Sequence, residues 1–303
     1  MLRFWRLLKR AAVEFINDNG LKLSASLSYY TVFSIGPVLI IIISLAGLFY
    51  GKEAVQGKIY YQLNGLVGSS AALQIQDIIK NIEQSQLSAS GAIIGIIVLI
   101  IGATGVFTEI QDSINYIWAV KAKPQKGWLK LLMNRLLSFS LIISFGFILL
   151  VSLIVHALVD VLHDKLIHIF DEVTVYIFLM VNYVILFVVI ACLFAIIFKV
   201  LPDAKIQLRD SFVGAAFTSA LFMIGKYLIG LYIAQSDVGV TYGTAASLVL
   251  ILLWVYYSSI ILYFGAEFTR VYALSYGSGI EPDKTAVFIV KQEVKEIDFE
   301  KVK

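Results

Sequence analysis

One cysteine in 303 residues, Cys192, leaves no partner for an intrachain disulfide and no companions for a zinc or iron–sulfur centre. Inside the apolar run 173–198 it reads as a small buried hydrophobe. Charge is scarce as well. Only 15% of the residues are Asp, Glu, Lys or Arg while 59% are hydrophobic, a balance that filling one soluble core does not require. The chain has no P-loop, no GxSxG nucleophile turn and no Gly-rich dinucleotide fingerprint, so ATP-driven transport and standard hydrolase chemistry have no motif to rest on. No cofactor is expected, and the chain is read as a non-enzyme.

What the sequence does have is long apolar blocks divided by short polar ones. Six blocks, at 29–50, 91–113, 137–159, 173–198, 212–234 and 245–268, have lengths that match a hydrocarbon core of about 30 Å at about 1.5 Å per helical residue. Pro37 predicts a kink in the first. The fold class that follows is an all-α integral membrane protein, a bundle of six transmembrane helices. Residues 1–24 carry Arg3, Arg6, Lys9 and Arg10, with Trp5, Leu8, Ala12 and Phe15 at helical spacing, the pattern of a basic amphipathic helix on a membrane face. Asp18 and Lys22 interrupt before any apolar core of a signal peptide could follow. Residues 25–275 form the membrane domain, and 276–303 read as a solvated charged tail. Between the first two spans, Lys52 to Ser90 is too polar to cross and reads as a helical outer segment.

Charge placement gives the orientation. The N-terminal region and the second and fourth connections hold 5, 5 and 3 Lys or Arg, or 13; the opposite side holds 4 (Lys52, Lys58, Lys80, Lys165) beside 8 acids. The positive-inside rule then puts both termini in the cytoplasm.

Ionisable groups inside spans are costly, about 2.5 to 3.5 kcal/mol even on lenient insertion scales, and so mark function first. Four qualify: Glu109, Asp112, Lys226 and Glu267. Gly102, Gly105, Glu109 and Asp112 share a face that is expected to point into the bundle, where the acids either line a pathway or anchor the cytoplasmic helix end. Tyr256, Ile260, Tyr263 and Glu267 line another face, with Arg270 one turn on as an intrahelical partner. Lys226 falls in the outer half of its span, either snorkelling or presenting a cation inward with Ser219 and Gly230. Ser24, Ser28 and Thr31 make a polar stripe before the Gly36-Pro37 break, suited to a cavity wall or to close helix packing. His156, Asp160, His163, Asp164 and His168 approach metal-ligand spacing, but a solvated helix end accounts for them and no metal is expected.

Four separated stretches, ASLSYYTVFSIGP, FTEIQDSINYIWAV, KVLPDAKIQLRDSFVGAAFTS and TYGTAASLVLILLWVYYSSIILYFGAEFTRVYA, together resemble the YihY/virulence factor BrkB family over about residues 5–275. The resemblance implies a bacterial inner-membrane protein with six helices, and directs attention to Tyr29, Tyr30, Pro37, Asn115, Trp118, Pro202, Asp203, Gly214, Tyr242, Gly243, Trp254, Gly265 and Glu267. It brings no catalytic set with it. The ribonuclease BN label once given to some members finds no support here: topology already explains the basic loops, and no nucleic-acid partner is expected. The expected partners are the lipid bilayer and a small molecule or lipid, with an oligomer left open. Transport or export of a small polar or amphipathic molecule is the leading expectation. An envelope-organising protein that moves nothing and a lipid-acting membrane enzyme are the alternatives.

Overall fold

A computed structural model describes residues 2–32, 73, 76, 105–123, 172–235 and 246–291. Six helices lie among these: α1 (Leu2–Asn17), α2 (20–32), α3 (105–117), α4 (Glu172–Val200), α5 (Leu208–Gln235) and α6 (Ala246–Tyr276). Leu73 and Gln76 of the outer segment are also helical. Pro37, Tyr242, Gly243, the third span at 137–159, the His156–His168 group and residues 292–303 lie outside the described residues.

Among the described residues, three helices are long and apolar enough to cross a membrane: Tyr183–Val200, Leu208–Tyr232 and Val249–Tyr276. Between 28% and 44% of each is buried within the protein, and exposed large side chains such as Tyr183 and Val184 of α4 and Tyr227 and Leu228 of α5 look outward, as a lipid solvent allows. Cys192 is on that outward side of α4, exposed and not buried as its apolar surroundings suggested. The sixth helix runs eight residues beyond Phe268, because Val271 and Ala273 continue its buried face.

Small residues seat the spans on one another. Ser211 and Ser219 of α5 donate to the Ala195 and Phe187 carbonyls of α4, each at 3.1 Å. Between α5 and α6 the fit is reciprocal. A Cβ on Gly214 would meet Thr269 Oγ1 at 1.9 Å, and one on Gly265 would meet Thr218 Oγ1 at 2.0 Å. Thr218 donates to Gly214 O and Thr269 to Gly265 O, both at 2.7 Å. Each threonine thus satisfies its hydroxyl within its own helix and fills the notch left by the glycine opposite, the small-residue packing that membranes favour where burial alone gives no drive.

Where α3 and α6 end, α4 stops and α5 starts, the chain adds four short strands that an all-α reading did not anticipate. β1 (Val120–Ala122) pairs antiparallel with β4 (Ala286–Phe288), and β2 (Ala204–Lys205) with β3 (Glu281–Pro282). Gly279, at φ 81°, turns the chain after α6 and donates to Ala273 O at 3.0 Å. Residues 277–291 are therefore no solvated tail: they clip the connection after α3 to the connection between α4 and α5.

Asn115 and Asp203 hold this end together. Asn115 Nδ2 donates to Asp203 Oδ2 at 2.8 Å, the Asp203 amide donates back to Asn115 Oδ1 at 2.8 Å, and Gln111 Nε2 adds a third bond at 3.2 Å. Hydrogen bonds to a charged acceptor contribute about 1.5–3 kcal/mol each. Asn115→Ala should therefore lower stability by about 2–3 kcal/mol. Thermal unfolding of the detergent-purified protein reads the loss, and a midpoint equal to wild type would remove this clip from the account. Trp118, 2% exposed, donates from Nε1 to Ala266 O at 3.1 Å and fixes α3 against α6.

Candidate functional site

One turn above the seat of Trp118, α6 presents Tyr263 and Glu267, both 0% exposed. The Tyr263 hydroxyl and both Glu267 carboxyl oxygens have no hydrogen-bond partner among the described residues. Buried polar atoms in this condition are rare in folded proteins and call for a reason. Ser113 of α3 stands beside Tyr263 without hydrogen-bond geometry, and the Glu109 and Asp112 charges act on the same hydroxyl. The carboxyl of Asp18, just past α1, acts on Glu267 in the same way.

Arg270 sits at the middle of this polar layer. Its Nη1 lies 3.5 Å from Asp18 Oδ2, 3.8 Å from Glu267 Oε2 and 4.0 Å from Glu14 Oε2. Lys291, from the far end of the clip, bonds Asp18 Oδ2 and rests 4.1 Å over the Tyr116 ring. Three carboxyls thus share two cations, and Asp18 takes the better part of both. Glu267 keeps only one long ion contact, which is why its oxygens stay without hydrogen bonds.

The residues singled out from sequence separate into two groups. Tyr263, Glu267, Glu109 and Asp112 meet at one level. Glu109 is half-buried and Asp112 exposed, so the face of α3 turned inward is the one bearing Ile110, Ser113, Ile114 and Ile117, not the one bearing both acids as expected. Gly105 does lie close to another helix: a Cβ there would come within 3.3 Å of the Tyr30 ring. Lys226 is half-buried with no ion-pair partner among the described residues, about 27 Å along α5 from Leu208, and takes no part in the layer. Tyr256 is half-buried two turns away from Tyr263. Ser24, Ser28 and Thr31 donate to carbonyls of their own helix at 2.7–2.8 Å, the arrangement of a packing stripe. Pro37 lies outside the described residues.

Glu14, Asp18 and Lys291 were not among the residues chosen from sequence. Asp18 had a signal, since it extends the buried row Leu7, Ala11, Phe15 by three residues. Lys291 had none: 273 positions separate it from Asp18.

The family model described as Virulence factor BrkB matches residues 11–288, which carries the likeness through the strands after α6. A UPF0761 membrane protein of Azotobacter vinelandii is 29% identical over 274 residues, covering 88% of this chain and 62% of the relative. One from Pseudomonas aeruginosa is 27% identical over 84% of this chain and 60% of its own length, and one from Vibrio vulnificus 24% identical over 86% and 80%. The chain thus spans about 62% of the Azotobacter relative and 60% of the Pseudomonas one. No solved structure matches.

Proposed function

The chain belongs to the Virulence factor BrkB family of multi-pass membrane proteins, and from that premise we propose that it moves a small polar or amphipathic molecule, lipid-related compounds included, across the bacterial inner membrane. The observation that carries this reading is the Tyr263–Glu267 pair: unpartnered polar atoms, fully buried, on a membrane-crossing helix. Such groups are expensive in a bilayer unless they serve a passage or its gate. With Arg270 beside them and Glu109 half-buried at the same level, they make a polar layer at one end of the bundle. The reading assigns the protein no enzymatic step.

Six spans with both termini cytoplasmic belong to the same proposal. The start of α2, the ends of α3, α4 and α6 and the start of α5 share one end of the structure, tied by β1–β4 and β2–β3. A chain that departs on α2 and returns on α3 crosses twice. One that leaves after residue 123 and comes back on α4 does so again, and α5 with α6 supplies the last pair. The excess of Lys and Arg on that end supports a cytoplasmic assignment.

The test compares metabolites and lipids, inside cells and in the medium, among a deletion strain and strains restored with wild-type or variant protein at equal abundance. A compound retained inside by the deletion should be released again by wild type, while Glu267→Gln should leave it retained to the level of the deletion. Profiles that do not differ between deletion and wild type, or full restoration by Glu267→Gln, Glu109→Gln and Lys226→Met alike, would overturn the proposal and shift weight to an envelope-organising role.

A further inference from the structure

α1 has two different sides. Leu7 and Ala11 are buried next to Phe268 and Val271 of α6, and Phe15 against Phe264. On the other side Trp5 is 69% exposed and Ile16 72%, with Val13 between them and Arg3, Lys9 and Arg10 also exposed. Large apolar side chains next to a row of cations have no gain in facing plain water. The only acid of α1, Glu14, is turned to Arg270, so its outward charge is all positive.

The position of α1 supplies a second argument. The Phe4 ring stands edge-on to Phe217 and Phe268, at 6.4 and 6.2 Å between centroids. Both partners belong to membrane-crossing segments, and Phe217 lies about 13 Å along α5 from Leu208. α1 is therefore held on the flank of the bundle, beside the first turns of one membrane-crossing segment and the last turns of another. An amphipathic helix in this position, cationic and tryptophan-bearing, is built to lie in the interface.

We infer that the outer side of α1 is a docking surface for anionic phospholipids, with Arg3, Lys9 and Arg10 taking headgroup phosphates while Trp5 and Ile16 enter the acyl boundary. The inference is independent of the transport reading. Each basic side chain near such a surface strengthens binding about fivefold.

Native mass spectrometry of the full-length protein in detergent tests this, with phosphatidylglycerol or phosphatidylcholine added. Wild type should retain phosphatidylglycerol well above phosphatidylcholine. The R3Q/K9Q/R10Q variant should lose at least about tenfold of the phosphatidylglycerol retention, with phosphatidylcholine unchanged. W5Q/I16Q should weaken both lipids alike. If the triple variant does not fold, R10Q carries the test with an expected loss of about fivefold. Equal retention of the two lipids by wild type, or undiminished phosphatidylglycerol on the basic variants, would overturn the inference. So would displacement of the lipid by inorganic phosphate, which would mark a site for soluble anions.

Discussion

Replacing Arg270 by Met is expected to cost about 3–5 kcal/mol of stability, the penalty for removing one partner from a buried ionic group. Met keeps most of the side-chain volume, so the loss is electrostatic and not a packing defect. Among the described residues, Arg270 is the only one within reach of Glu14, Asp18 and Glu267 together. Without it Lys291 still holds Asp18, but Glu267 is left a buried carboxyl with no hydrogen bond or ion pair among the described residues. Adding Glu267→Gln to Arg270→Met should therefore recover part of the loss, because the second change replaces the buried carboxyl that the first one left without its guanidinium. The temperature at which half of the detergent-solubilised protein leaves its monodisperse peak should fall by about 6 °C or more for the single variant. A double variant no better than Arg270→Met would show that Glu267 draws nothing from the guanidinium.

The second large effect lies at the α5–α6 seam. Alanine is a better helix former than glycine by up to about 1 kcal/mol, so Gly214→Ala and Gly265→Ala would stabilise an unpacked helix. Here the new methyl would stand about 2 Å from a threonine hydroxyl. That threonine is stiff at χ1 and already bonded to its own helix, so it cannot swing aside. Overpacking of this kind costs about 1–3 kcal/mol and outweighs the propensity gain. The double variant Gly214→Ala/Gly265→Ala obstructs both notches of one seam and should lose more than either alone. Gly214→Thr combined with Thr269→Gly exchanges knob and notch across the helices and should recover part of the single-variant loss. Recovery of monodisperse protein after heating separates these outcomes; an unchanged double alanine variant would mean that the seam is looser than its distances indicate.

The apolar blocks made the membrane-spanning character legible, and α4, α5 and α6 begin and end within a few residues of the runs read from sequence, apart from the longer C-terminal end of α6. Periodicity also placed Tyr263 and Glu267 on one face. It failed on α3, where two acids and two glycines at helical spacing suggested an inward face while Ile110, Ile114 and Ile117 are what the core takes. Between a polar face and an apolar one, the packed end of this bundle chose the apolar one. The strands were out of reach because a two- or three-residue ladder has no periodicity to detect, and β1 meets β4 across more than 160 positions. Charge balance misled in the tail: Lys and acids that nearly cancel read as solvated, yet Ile280 and Ala286 are buried and Lys291 has a specific partner. On α1 the buried row is offset from the one read in the sequence, since Leu7, Ala11 and Phe15 face the protein and Trp5 does not.

The bond from Lys291 to Asp18 also sets an order in time. Asp18 is made among the first residues of the chain and its lysine partner 273 positions later. At roughly 5–20 residues per second, the interval is on the order of tens of seconds. Throughout it that carboxyl is without its lysine, and β1 must wait for β4. Residues 286–291 thus lock an element made long before them, and a chain cut short before residue 286 would lack the bond that closes the cluster around Glu267.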